Sequence, residues 1–89
     1  MTVNRDTKIL EAILFASGSP VFEDDLKDKM INKKEFKKEM NNLRDFYKDR
    51  GINLIKTGNK WSFRTAESIK DELTIFKTQK SKQKSQLMN

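Results

Sequence analysis

Along residues 6–18, "DTKILEAILFASG", apolar side chains return every three or four positions: Ile9, Leu10, Ile13 and Leu14, with Ala12 and Ala16 beside them. That period predicts a helix with a single apolar stripe. Asn4 or Asp6 caps its start. Gly18 ends it as a left-handed cap, and Pro20 blocks continuation. Phe15 stands off the stripe. Val21 then forms a short extended bridge. In "PVFEDDLKDKMI" (20–31), Glu23, Asp24 and Asp25 suit the electropositive start of a second helix. Leu26 and Met30 are its i,i+4 apolar pair, and it ends near Ile31. The third helix has the clearest pattern. Phe36, Met40, Leu43 and Tyr47 lie at spacings of 4, 3 and 4 on one face. Asn32 and Glu35 read as its capping box, Gly51 as its stop, and Phe46 widens the apolar face or leaves it.

After Gly51 the period changes to two. A two-residue turn at Gly58-Asn59, with glycine first as type II′ prefers, makes residues 52–65 a hairpin. Thr57 then faces Lys60, Lys56 faces Trp61, Ile55 faces Ser62, Leu54 faces Phe63, Asn53 faces Arg64, and Ile52 faces Thr65. This register gathers Ile52, Leu54, Trp61 and Phe63 on one side. Asn53, Lys60, Ser62 and Arg64 fall on the other, with Ile55 the exception. A two-stranded ribbon is marginal alone, so it is expected to lie on the helices through Trp61 and Phe63. A last helix, "AESIKDELTIFK" (66–77), is capped by Thr65 or Ser68 and carries Ile69, Leu73 and Phe76. Beyond it, "TQKSKQKSQLMN" is polar and of low complexity, expected to be mobile. The order of helix, helix, longer helix, hairpin and helix predicts a mainly α fold with a small β-hairpin: a winged helix, with a helix-turn-helix pair and the hairpin as wing. The domain is expected over 4–77, with a flexible basic tail over 78–89.

Composition narrows the function. The chain has 89 residues, enough for one domain. It has no Cys and no His, which removes disulfides and the commonest general base and metal ligand. No long apolar run marks a signal or membrane span, so a soluble cytoplasmic protein is expected. Glu23, Asp24, Asp25 and Asp28 are the densest acidic group, but helix-start electrostatics account for them. "SGS" at 17–19 lacks a base and reads as a helix stop. No enzyme activity, cofactor or metal is expected.

The net charge is +6, and it is uneven. Residues 1–31 carry four basic and six acidic side chains, whereas 77–89 carry four Lys and no acid. Lys33, Lys34, Lys37, Lys38 and Lys60, with Arg64 behind them, are candidates for weak DNA contact through phosphates. Lys is a point charge and a poor base reader, and Glu35, Glu39, Asp45 and Asp49 share the helix. Salt-sensitive, non-specific contact is therefore favoured over sequence reading. Phe15, Phe22, Phe46 and Ile55 fit least well into one core. With Trp61, which also suits the core under the wing, they are the candidate protein interface.

"KILEAILFASGSPV" (8–21) resembles the opening of the segregation and condensation protein B family, bacterial chromosome-condensation subunits. Glu11, Ala12, Ile13, Leu14, Phe15, Ala16, Ser17, Gly18, Pro20 and Val21 stand in that pattern. The resemblance continues at Arg50-Gly51-Ile52, where a helix gives way to the wing, and at Phe63-Arg64-Thr65, the close of the second wing strand. Phe22 departs from it, standing where a capping hydroxyl is usual. The resemblance implies a non-enzymatic, nucleoid-associated adaptor that homodimerises through its N-terminal winged-helix domain. It also implies a kleisin partner, segregation and condensation protein A, and through it the SMC (structural maintenance of chromosomes) ATPase. The family has two winged-helix domains in tandem; "KSKQKSQLMN" reads as the linker and start of a second one, so the chain is expected to be a fragment. The alternative from another class is a winged-helix DNA-binding regulator.

Overall fold

The computed structural model describes residues 2–72. Helix α1 spans Arg5–Ala16, strand β1 Val21–Phe22 and helix α2 Glu23–Asp28. A 3-10 turn at Lys33–Glu35 leads into helix α3, Phe36–Tyr47. Strands β2 (Ile52–Thr57) and β3 (Lys60–Thr65) form the hairpin, and a second 3-10 turn covers Glu67–Ile69. The chain is helical again at 70–72. The remainder of the expected last helix, with Leu73 and Phe76, and the expected mobile tail lie outside the described residues.

The hairpin register is the one the alternation predicts, from Ile52 opposite Thr65 to Thr57 opposite Lys60. Gly58 takes a φ of +63° and is the sole described residue in the left-handed region, as the first position of a II′ turn requires. β1 adds an element the pattern did not predict as sheet. Val21 pairs with Trp61 and Phe22 with Lys60, so β3 is the middle of a three-stranded antiparallel sheet ordered β1-β3-β2. The extra pairing protects two of the six residues of β3 and stiffens a ribbon that is weak alone.

The core forms where the stripes of the three helices meet the inner sheet face. Leu10 and Leu14 of α1, Leu26 and Met30, Phe36, Met40 and Leu43 of α3, and Leu54 and Trp61 make one cluster. Ile9, Ile13, Val21, Tyr47 and Phe63 pack around it. Burying a Leu such as Leu10, Leu26 or Leu43 contributes about 1.5–3 kcal/mol. At the far end of the same inner sheet face, Ile52 is exposed.

Two helix-end expectations, at Gly18 and at Asn32–Glu35, fail for physical reasons. Gly18 is not a left-handed cap: α1 leaves through Ser17 in an extended conformation, its N–H donating to the Ile13 carbonyl. At the other end Asn4 is the cap. Its Oδ1 accepts from the Thr7 N–H at 2.9 Å, and its N–H donates to Thr7 Oγ1. Asp6, the rival cap, instead reaches across to the α2–α3 connection and accepts the N–H groups of Ile31 (2.8 Å) and Asn32 (2.9 Å). The bond to Asn32 undoes the second expectation. A capping box at Asn32 would have Glu35 take the Asn32 N–H, but Asp6 already holds it. The chain makes a 3-10 turn there and α3 starts one turn later than expected, with no side-chain cap. α2 also ends early, at Asp28, although Met30 still reaches the core. Phe22 stands at the N-cap of α2 and supplies no capping bond, as its side chain predicts.

Candidate interaction surfaces

The five candidate interface residues fall into three places. Phe15 is the most exposed large apolar side chain among the described residues, at 79%. It borders a hollow of about 280 Å³ lined by Glu11, Ala12, Tyr47, Ile52 and Phe63. Tyr47 meets Phe63 edge-on, with centroids 4.8 Å apart, and Phe46 meets Tyr47 edge-on at 5.0 Å. Helix geometry explains Phe15: it follows Leu14 by one residue, about 100° around the helix, and so points away from the core stripe. The Tyr47 hydroxyl donates to the Glu11 carboxylate. That bond, followed by burial, raises the phenol above its ordinary pKa. The result is an α1–α3 apolar patch of Phe15, Phe46 and Ile52 around an ordered aromatic pair.

Phe22 and Ile55 belong to a second patch. Strand alternation places both on the outer face of the sheet, on either side of β3. Lys60 lies over the Phe22 ring at 4.6 Å. Trp61 is on neither patch. It is 4% exposed and belongs to the core, because its alternation partner on the strand is Phe63 and both face the helices. The candidate set therefore loses Trp61 from the surface.

The candidate cations also divide. A groove of about 520 Å³ runs between the α2–α3 connection, α3 and the wing. Lys33, Lys34 and Lys37 line it, together with Lys27, Arg44 and Lys56, which the sequence reading did not single out. Its floor is Phe36, Met40 and Trp61, and Glu23 is its one carboxylate among the described residues. Glu23 is already engaged: it accepts the Trp61 indole N–H at 2.9 Å and pairs with Lys56 at 3.2 Å. The indole bond first, then Lys56, lowers the Glu23 carboxyl below its ordinary pKa, against the opposing effect of burial. Arg44 lies over the Trp61 ring at 4.8 Å and Lys27 over Phe36 at 5.2 Å. Lys38 lies off the groove and pairs with Glu35 at 3.9 Å. Lys60 belongs to the outer sheet face, and Arg64 borders a separate hollow with Ser17–Pro20. Lys56 was legible: the register puts it opposite Trp61, on the inner face beside Leu54. Arg44 was legible too, four residues from Met40 and so on the same side of α3.

The acidic run offers no converging ligand set. Among the described residues, no three His, Cys, Asp or Glu side chains are grouped so as to hold a metal ion. No helix among them is long and apolar enough to cross a membrane.

A helix-turn-helix pair and a third helix, closed by a short sheet whose β2–β3 hairpin projects at one side, define a winged-helix domain. The sequence model of the segregation and condensation complex subunit ScpB matches residues 8–88, and the chain belongs to that family. Solved structures carry the same fold. ScpB from Mycobacterium tuberculosis superposes with a TM-score of 0.77 at 19% identity, covering 91% of this chain and 54% of that one. A dimer of an ScpB N-terminal domain complexed with an ScpA peptide gives 0.70 at 23% identity, covering 79% of this chain and 91% of that one. The chain thus spans about half the length of the mycobacterial protein. A search of curated proteins by sequence found no match.

Proposed function

We propose that this chain is a non-enzymatic adaptor of a bacterial SMC–kleisin complex, acting in chromosome condensation and segregation. It pairs with a second copy of itself and helps hold the kleisin, segregation and condensation protein A, beside the SMC ATPase. In this reading it works in the cytoplasm, at the nucleoid. In the same reading, residues 4–77 are the winged-helix unit. Family membership supports the assembly. The observation that carries self-association is Phe15, exposed beside Ile52 and the Tyr47–Phe63 pair, with exposed Phe46 packed on Tyr47. Apolar side chains grouped on a small domain mark association, and their burial drives it with little sensitivity to salt.

The test is sedimentation at micromolar concentrations in 0.1 M and 0.5 M salt. A dimer that persists at both is expected. Phe15→Glu is expected to weaken dimerisation at least tenfold while leaving the circular dichroism spectrum unchanged. A wild-type monomer at all concentrations would defeat the reading. The kleisin arm is titration of a labelled segregation and condensation protein A peptide, which the dimer is expected to bind and a winged-helix regulator is not.

A further inference from the structure

We propose that the groove between the α2–α3 connection, α3 and the wing is a binding site for the sugar–phosphate backbone of duplex DNA, without sequence preference. Six cations from four parts of the fold converge on it: Lys27 of α2, Lys33 and Lys34 of the 3-10 turn, Lys37 and Arg44 of α3, and Lys56 of β2. The one carboxylate is consumed by Trp61 and Lys56. Lys33 has a distant partner, Asp28, at 4.0 Å. Lys27, Lys34, Lys37 and Arg44 have no carboxylate within 4 Å among the described residues. Two acids of this stretch do not offset them. Glu39 is turned inward onto Thr7 and Asn4, and Glu35 is paired with Lys38.

The floor decides which polyanion fits. Phe36, Met40 and Trp61 are buried, and Lys27, Arg44 and Lys56 lie over the two rings. No apolar pocket is left for the anchor of an amphipathic peptide. No open ring face is left on which an unpaired base could stack. What remains is a cradle of point charges, which suits phosphate oxygens presented at regular intervals by a duplex. The lysines carry no planar fork for reading bases, so the contact is to the backbone alone. The site is separate from the Phe15 patch, so this inference stands or falls independently of self-association.

The experiment is fluorescence anisotropy of the full chain with two labelled 20-base-pair duplexes of unrelated sequence, from 25 to 200 mM salt. Equal affinity for both is expected, with Kd of about 10⁻⁴–10⁻⁶ M near physiological salt and log K falling with log salt at a slope of about 3–4 in magnitude. Lys34→Gln with Lys37→Gln is expected to weaken binding at least tenfold and to reduce the slope by about two. Lys8→Gln with Lys48→Gln makes the same change in net charge on exposed lysines outside the groove and is expected to leave most of the affinity. Unchanged thermal unfolding of both variants shows that each is folded. The proposal is overturned if the duplexes do not bind at 25 mM salt or if the two double variants lose affinity equally. It is also overturned if single-stranded DNA or a polyglutamate peptide binds more tightly than duplex.

Discussion

Asp6 shows how a side chain that could serve locally can be decisive elsewhere. Its position at the start of α1 fits a cap, yet Asn4 takes that role and Asp6 ties the first helix to the α2–α3 connection. The two backbone N–H groups hold the Asp6 carboxyl below the ordinary carboxylate pKa, with burial opposing them and Arg5 adding a little. The unfolded chain therefore takes up this proton more readily than the folded one. Stability from Asp6 is fully present above the ordinary value, about 3.9. It is lost as pH falls through the lower folded value. Urea midpoints from pH 6 to pH 2 are expected to fall more steeply below pH 4 for the wild type than for Asp6→Asn. Parallel acid limbs for the two proteins would refute that role.

At the scale of elements, the alternating strands were the most legible part of the chain. A period of two admits one register once the turn is placed, and a one-residue slip would expose Leu54 and Trp61. All six predicted pairs are present. Helix ends were less legible, because long-range groups compete for the same donors: Asp6 holds the N–H that the Asn32–Glu35 box needed. β1 was hidden for a related reason. Two residues carry no period, and only the free edge of β3 makes them a strand. The turn itself gives a direct test. A Cβ at Gly58 would meet nothing within 4 Å, so Gly58→Ala changes backbone strain alone. With φ at +63°, it is expected to cost about 1–2 kcal/mol in equilibrium unfolding. Unaltered stability would mean that the turn is not held in this form.

For the whole molecule, the start of the chain is joined to α3 by polar bonds that no sequence window reveals. Buried Glu39 on α3 accepts the Thr7 hydroxyl at 2.7 Å and the Asn4 amide at 3.0 Å. Thr7 has one hydroxyl proton, and the shorter bond to a carboxylate claims it. Glu39→Ala is expected to lower stability by about 1.5–3 kcal/mol in urea denaturation, since it removes charged hydrogen bonds and leaves their donors facing the core. The loss should appear in one cooperative transition, because the bonded residues are more than 30 apart in sequence. Glu39 looked like one more acid offsetting the lysines of α3; it is instead turned inward onto Thr7 and Asn4. The apolar candidates were legible individually, as side chains off a stripe. Their division into an α1–α3 patch and an outer-sheet patch depends on how α1 crosses α3, which periodicity does not encode.

The tip of the wing is fastened twice to the second helix. The Glu23 N–H donates to the Asn59 carbonyl at 2.9 Å, and the Glu23 carboxylate holds Trp61 and Lys56. The outermost loop is thus tied directly to a residue that lines the basic groove, so the wing's tip and the start of α2 are held to each other by backbone and side chain alike.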